Sequence, residues 1–251
     1  MIGAEQLSVG YGDRAVLRDV DLRIDGGLVA LIGANGSGKS TLMRALAGLH
    51  PAMSGRVLGP GPLPPAARAR QLNYLPQRGP DAPRLAVRQF IAMGADGASE
   101  WGVSEEAMDR VEAAMKGLGI ERLAERRCDA LSGGEFRRVQ LAASIAQPSP
   151  WLLLDEPCAG LDLPQASAAL AQLQREAKRR QGGGVLVVLH DLNMVAQYAE
   201  RCLLLGDGKL LYDDETETVL NLDGLEAAYG GRIERFRHPK TGQTVVLGPR
   251  P

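Results

Sequence analysis

"LIGANGSGKSTL", residues 31–42, sets three glycines and a lysine between an apolar run and a segment with helical spacing. Gly33, Gly38, Lys39 and Ser40 fit the pattern G-x-x-x-x-G-K-[ST]. "LVALI" (28–32) precedes it as a strand, and "TLMRALAGL" (41–49) follows, with Leu42, Leu46 and Leu49 on one helical face. A chain of phosphates needs backbone N–H groups aimed inward. Glycine-rich turns let the backbone come that close, and the positive end of the following helix adds attraction. On this reading Lys39 neutralises the outer phosphates and the Ser40 hydroxyl ligates Mg²⁺, while Asn35, Gly36, Ser37 and Thr41 complete the cradle.

Working outward, two further runs resemble residues 28–32. "WLLL" (151–154) and "VLVVL" (185–189) are continuously apolar, as strands buried on both faces of a parallel sheet are. Each ends in a polar cluster, Asp155-Glu156 and His190-Asp191, as the first ends at Gly33. Ligands of open parallel sheets sit beyond the carboxyl ends of strands, so the three ends are expected to share one site. "LRDVDLRI" (17–24) alternates instead, which predicts half-solvated antiparallel strands near the N-terminus. Residues 60–84, rich in proline, glycine and arginine, read as connection, and residues 85–130 as a mostly helical insertion. "QGGG" (181–184) predicts a helix stop before a strand, and the basic run "REAKRR" (175–180) a solvated helix end.

Composition bounds the function. The 251 residues are 45% hydrophobic, enough for a sizeable core. Lys+Arg of 29 against Asp+Glu of 30 leaves a net charge of −1, which gives no reason to expect nucleic acid or an anionic membrane as a general partner. Cys128, Cys158 and Cys202 lack metal-ligand spacing and read as small apolar residues of a reducing compartment. No basic leader and no membrane-length apolar window is present, so a cytoplasmic location is expected, with any membrane role exercised through a partner.

Two more segments carry chemistry. In "WLLLDEP" (151–157), Asp155 follows a buried strand where it can hold Mg²⁺, and Glu156 can orient or deprotonate an attacking water. In "LSGGEFRRVQLAASIAQ" (131–147), Ser132 and Glu135 form an S-x-x-E capping box that opens an amphipathic helix. The box leaves Gly133 and Gly134 unexplained, because each costs roughly 1 kcal/mol against alanine within a helix. Bare N–H groups at a helix N-terminus suit a second phosphate contact.

The loop at 33–41, "LSGGE" at 131–135, "LLLDEP" at 152–157 and a histidine after the third strand together resemble the ATP-binding cassette (ABC) ATPases, over essentially the whole chain. The resemblance implies that Tyr11 in "VGYGDR" stacks on adenine and that Gln77 in "YLPQ" senses the γ-phosphate and Mg²⁺. It likewise implies a dimer-contact role for Asp162 in "AGLD" and a switch role for His190 facing the γ-phosphate. From the residues alone, Tyr11 is also compatible with a turn tyrosine, Gln77 with a loop residue, Asp162 with a helix N-cap paired to Gln165, and His190 with a polar strand end.

The implied fold is α/β: a P-loop NTPase core with a parallel sheet, an antiparallel β subdomain and an inserted helical subdomain. Residues 1–77 and 149–251 would form the nucleotide-binding core and 78–148 the helical subdomain. ATP and Mg²⁺ are the implied cofactors. The implied partners are a second copy, associated head to tail so that Ser132, Gly133 and Gly134 close over the other copy's ATP, and two transmembrane permease subunits. These would place the chain peripherally at the cytoplasmic face of the membrane. A DNA-repair relative would need a long coiled coil, but Lys39 and Leu131 lie 92 positions apart (131 − 39) without sustained heptads. A ribosomal type would need two cassettes, and a small-molecule kinase would not need "LSGGE".

The tail, "HDLNMVAQYAERCLLLGDGKLLYDDETETVL" (190–220) with "LEAAYG" (225–230) and "HPKTGQTVVL" (238–247), resembles ATPases of importers for iron-siderophore, haem and cobalamin. An extracytoplasmic binding protein would then feed the permease. "VRQFIAMG" (87–94) supports this, since those relatives carry a similar stretch, although "ADGASE" replaces the arginine and aromatic usual after its glycine. The segment after Gln77, including "LAVRQFIAMG" (85–94), is where the resemblance would set the permease contact. Another solute class, or a soluble non-transport ABC ATPase, is the alternative.

Overall fold

The computed structural model describes residues 1–79, 81–96 and 104–248. In chain order, β1 (Ile2–Tyr11), β2 (Arg14–Ile24) and β3 (Gly27–Ile32) lead into α1 (Lys39–Leu46), followed by β4 (Ser54–Leu58), α2 (Pro65–Ala69) and β5 (Leu72–Leu75). Helices α3 (Val87–Asp96), α4 (Glu105–Gly117) and α5 (Gly133–Ala146) come next. Alternation then begins with β6 (Trp151–Asp155), α6 (Leu163–Arg179), β7 (Gly184–Val188), α7 (Leu192–Tyr198) and β8 (Arg201–Gly206). The chain ends with β9 (Lys209–Glu215), α8 (Thr216–Leu220), α9 (Gly224–Tyr229), β10 (Glu234–Arg237) and β11 (Thr244–Leu247).

Three sheets result. The first is antiparallel, in order β2-β1-β4, and its β1–β2 hairpin turns at Gly12-Asp13 with Tyr11 opposite Arg14. The second has six strands in order β5-β6-β7-β3-β8-β9, parallel except for β9 at one edge. The third is the hairpin β10–β11.

The apolar runs at β3, β6 and β7 are continuous because each strand feeds two cores. Leu28, Ala30, Leu152, Leu154, Val185 and Val187 face a cluster shared with α3 to α7. Val29, Leu31, Trp151, Leu153, Leu186 and Val188 face one shared with α1 and the antiparallel sheet. A strand buried on both faces has no polar register to keep.

Three expectations need correction. Residues 60–84 are not only connection: Leu72–Leu75 form the edge strand β5, whose Leu72 and Leu75 are buried. Leu49 does not extend the apolar face of α1, which stops at Leu46; it is 57% exposed. The run 175–180 is not simply solvated. Arg180 donates to the carbonyls of Ile145, Gln147 and Ser149, and its side chain and that of Glu176 are each 6% exposed. Burial lowers the Arg180 pKa to about 10. Of "ADGASE", the stretch 97–100 lies outside the described residues.

Candidate functional site

Strands β6, β7 and β3 are neighbours and parallel, so their carboxyl ends stand side by side. The polar residues after each therefore meet, as the pattern of strand ends predicted.

The loop after β3 is shaped by glycine where no other residue fits. Gly33 has φ +144°, and a Cβ there would lie 2.1 Å from the Leu205 carbonyl oxygen. Gly38, with φ +103°, caps the start of α1. Lys39 is 6% exposed, and its ammonium donates to the carbonyls of Gly33 at 2.7 Å and Ala34 at 2.9 Å. The loop's own backbone thus holds the cation at the rim of a cavity of about 810 Å³, lined by Tyr11, Asn35, Gly36, Gly38, Lys39, Ser40, Thr41, Gln77, Glu156 and His190. Burial lowers the Lys39 pKa, opposed by the nearby carboxylates of Glu156 and Asp155. Ser37, with Asn35 and Gly36, lines an adjoining cavity of about 500 Å³.

Asp155 ends β6 and is 1% exposed. Burial pushes its carboxyl above the ordinary value, against a hydrogen bond from Ser40. Its Oδ1 is buried with no hydrogen-bond partner among the described residues. A carboxylate oxygen withheld from water needs a proton donor or a cation, so the Asp155 and Ser40 pair fits an oxygen-seeking divalent ion such as Mg²⁺.

Glu156 follows in a left-handed backbone, φ +51°, an unusual state for a residue with a side chain. Its carboxylate is bound on both sides. Oε2 accepts from Gln77 Nε2 at 2.8 Å, and Oε1 lies 2.6 Å from His190 Nε2. The three residues come from loops after β5, β6 and β7, so the sheet order sets their grouping. Tyr11 stands at the cavity rim, 54% exposed, with its ring centroid 4.7 Å from that of His50.

Ser132, Gly133, Gly134 and Asp162 do not line this cavity; they open helices elsewhere. Ser132 accepts from the Glu135 N–H at 3.3 Å, and Glu135 Oε2 accepts from the Ser132 N–H at 3.0 Å, completing the expected capping box of α5. Asp162 accepts from the Gln165 N–H at 2.9 Å and opens α6. Gly133 has no heavy atom within 4 Å of where its Cβ would be, so packing inside the chain does not demand glycine there.

One contact escaped the sequence. The Tyr229 hydroxyl, at the end of α9, accepts from the Gly33 N–H at 3.2 Å, across 196 positions. Burial raises its pKa to about 12. "LEAAYG" carries no local sign of this, because the partner is a backbone amide far away in the chain.

Known proteins resemble this chain along most of its length. The family described as "ABC transporter" matches residues 17–159, more than half of the chain. "Hemin import ATP-binding protein HmuV" of Nocardia farcinica (strain IFM 10152) is 41% identical over 239 residues, covering 93% of this chain and 82% of that protein. "Probable siderophore transport system ATP-binding protein YusV" of Bacillus subtilis (strain 168) is 34% identical over 254 residues, covering 98% of this chain and 92% of that protein. A solved "ATP binding subunit of ABC transporter" superposes with a TM-score of 0.78 at 26% identity, over 91% of this chain and 95% of that one. With the glycine loop, the Asp155-Glu156 strand end and the His190 strand end in one place, the chain belongs to the ABC transporter family, as one of its ATP-hydrolysing subunits.

Proposed function

We propose that this chain drives a membrane importer for a metal chelate of the ferric siderophore, haem or cobalamin class, by hydrolysing ATP between two copies of itself. The observation that carries the hydrolytic part is the Glu156 carboxylate, bound by Gln77 and His190 at the edge of the cavity that holds Lys39 and Ser40. ATP lies with its phosphates over residues 33–41 and its base against Tyr11. Lys39 meets the outer phosphates. Ser40, Asp155 and Gln77 would hold Mg²⁺, which neutralises charge developing on the phosphates.

Glu156 orients the attacking water and accepts its proton, while Gln77 and His190 fix the carboxylate and face the γ-phosphate. The anchored geometry matters because a base must stand within hydrogen-bond reach of the proton it takes.

Ser132, Gly133 and Gly134 act on the second copy's nucleotide, with Asp162 at the contact between copies. The exposed, uncrowded Gly133 supports this: a bare helix N-terminus with no internal need for glycine suits a phosphate arriving from outside. Closure excludes water and completes each site from both copies. No helix among the described residues is long and apolar enough to cross a membrane. The import and transport names of the relatives support attachment through permease subunits on other chains. An extracytoplasmic binding protein completes the importer. The names of the hemin and siderophore relatives support the cargo class.

Glu156→Gln tests the hydrolytic reading. The variant keeps size and backbone but is not a base. Turnover should fall by roughly 10²- to 10⁴-fold, with MgATP now trapping a dimer on size-exclusion chromatography. Turnover near wild type would remove Glu156 from the role. Uptake of labelled haem, ferric siderophore and cobalamin by the chain reconstituted with its co-purifying permease tests the cargo, and transport of an unrelated solute alone would reject it.

A further inference from the structure

Arg137, in the first turns of α5, is 7% exposed, and its guanidinium reaches two other segments of the chain as well as Gln140 on its own helix. Nη1 donates to the Pro76 carbonyl at 3.1 Å and to Gln140 Oε1 at 3.3 Å. Nη2 donates to the carbonyls of Asp155 and Glu156, each at 2.9 Å. Pro76 directly precedes Gln77. Burial lowers the Arg137 pKa against the pull of Asp155, Cys158 and Glu156, and a guanidinium remains protonated throughout.

We propose that Arg137 is a positioning residue for ATP hydrolysis: it fixes the backbone from which Glu156 and Gln77 project and ties both to α5. Pro76 and Glu156 lie just past the ends of β5 and β6, and Asp155 is the last residue of β6. Besides Arg137, the Glu156 carbonyl accepts from the Ala159 N–H at 3.2 Å, and a carbonyl withdrawn from water is costly when short of donors. A planar fork of N–H groups serves all three at once; an ammonium, a point charge on a flexible stem, does not.

Glu156 sharpens the need. Its left-handed backbone is an uncommon, strained state that persists only when neighbours over-determine it, and the Arg137 bond to its carbonyl is one such constraint. Without it the backbone under Glu156 can shift and carry the carboxylate off its position between Gln77 and His190, and a shift of about 1 Å can cost on the order of a hundredfold in rate.

The contact also joins two functions. The N-terminus of α5 carries Ser132, Gly133 and Gly134, which the proposed dimer presses onto the other copy's phosphates. Arg137, on the same helix, holds this copy's own Glu156 and Gln77. Engagement of one nucleotide thereby sets the hydrolytic geometry around the other.

The proposal rests on the roles given above to Glu156 and Gln77, so R137Q, R137K and E156Q belong in one experiment on the full chain. Turnover, affinity for a fluorescent ATP analogue with Mg²⁺, and melting temperature are measured for each. Arg137→Gln and Arg137→Lys should both lose roughly ten- to hundredfold in kcat while MgATP affinity stays at the wild-type value. Lysine retains charge and length, so it guards against a glutamine variant that fails to fold. Wild-type turnover in Arg137→Lys, beside an inactive Glu156→Gln, would overturn this proposal alone. ATP affinity falling in step with kcat in both Arg137 variants would overturn it as well, since that marks general loosening. An active Glu156→Gln would overturn the base reading and this proposal with it.

Discussion

Tyr229→Phe isolates a single atom that joins the C-terminal part of the chain to the nucleotide loop. The ring packs against the larger core cluster, and phenylalanine keeps it there. What disappears is the acceptor for the buried Gly33 N–H, now made at 3.2 Å. A buried donor left without a partner costs about 1–3 kcal/mol, and relief from burying the hydroxyl, whose pKa burial raises to about 12, returns part of that. A net cost near 1 kcal/mol corresponds to a melting-temperature drop of roughly 2–4 °C in a chain of this size. Gly33 is the first residue of the cradle and Lys39 bonds to its carbonyl, so the loosened loop must be reordered when ATP binds. MgATP affinity should therefore fall about fivefold, and more if the penalty reaches 2 kcal/mol. Titration with a fluorescent ATP analogue, beside thermal melts of wild type, Tyr229→Phe and Tyr229→Ala, measures both quantities. Unchanged affinity in Tyr229→Phe, with Tyr229→Ala merely less stable, would refute the link and leave Tyr229 a packing residue.

Lys39→Ala should keep the fold and lose on the order of ten- to a hundredfold in MgATP affinity, because a charged donor is worth about 1.5–3 kcal/mol; nucleotide titration checks it. Ser132→Arg should abolish turnover while the monomer still binds ATP, with the melting temperature falling only by the few degrees that about 1 kcal/mol of lost cap implies. If activity per folded molecule survives, Ser132 is a cap alone. Arg180→Met should destabilise by about 1–3 kcal/mol, read as a shifted denaturant midpoint with ATP affinity unchanged, since it takes the guanidinium from the carbonyls of Ile145, Gln147 and Ser149 while Glu176 keeps Arg179 and Gln172.

The residues divide by where their partners lie. The loop from Gly33 to Thr41, the caps at Ser132 and Asp162 and the buried strands β3, β6 and β7 were legible because the causes are local. A left-handed turn needs glycine, an N-cap needs a short oxygen-bearing side chain, and a strand covered on both faces is apolar throughout. Grouping Glu156 with His190 needed one further step, the rule that parallel strands deliver their ends to one edge. Strand β5 was missed because four residues, two of them half-exposed, are too few to outweigh proline- and arginine-rich flanks.

Arg180, Arg137 and Tyr229 share a different reason. Each bonds mainly to backbone, Arg180 and Arg137 to carbonyls and Tyr229 to an amide. Backbone groups are the same at nearly every position and leave no mark on the sequence, so no spacing rule points to them. What decides such contacts is which strand ends and helix termini run out of ladder partners once the sheets have formed. For Arg137 those ends are Pro76, Asp155 and Glu156, the backbone beside the residues proposed to carry out hydrolysis. The side chains proposed to touch the nucleotide can therefore be read from motifs, whereas those that hold the motifs in register become visible only where the backbone's own hydrogen bonding stops.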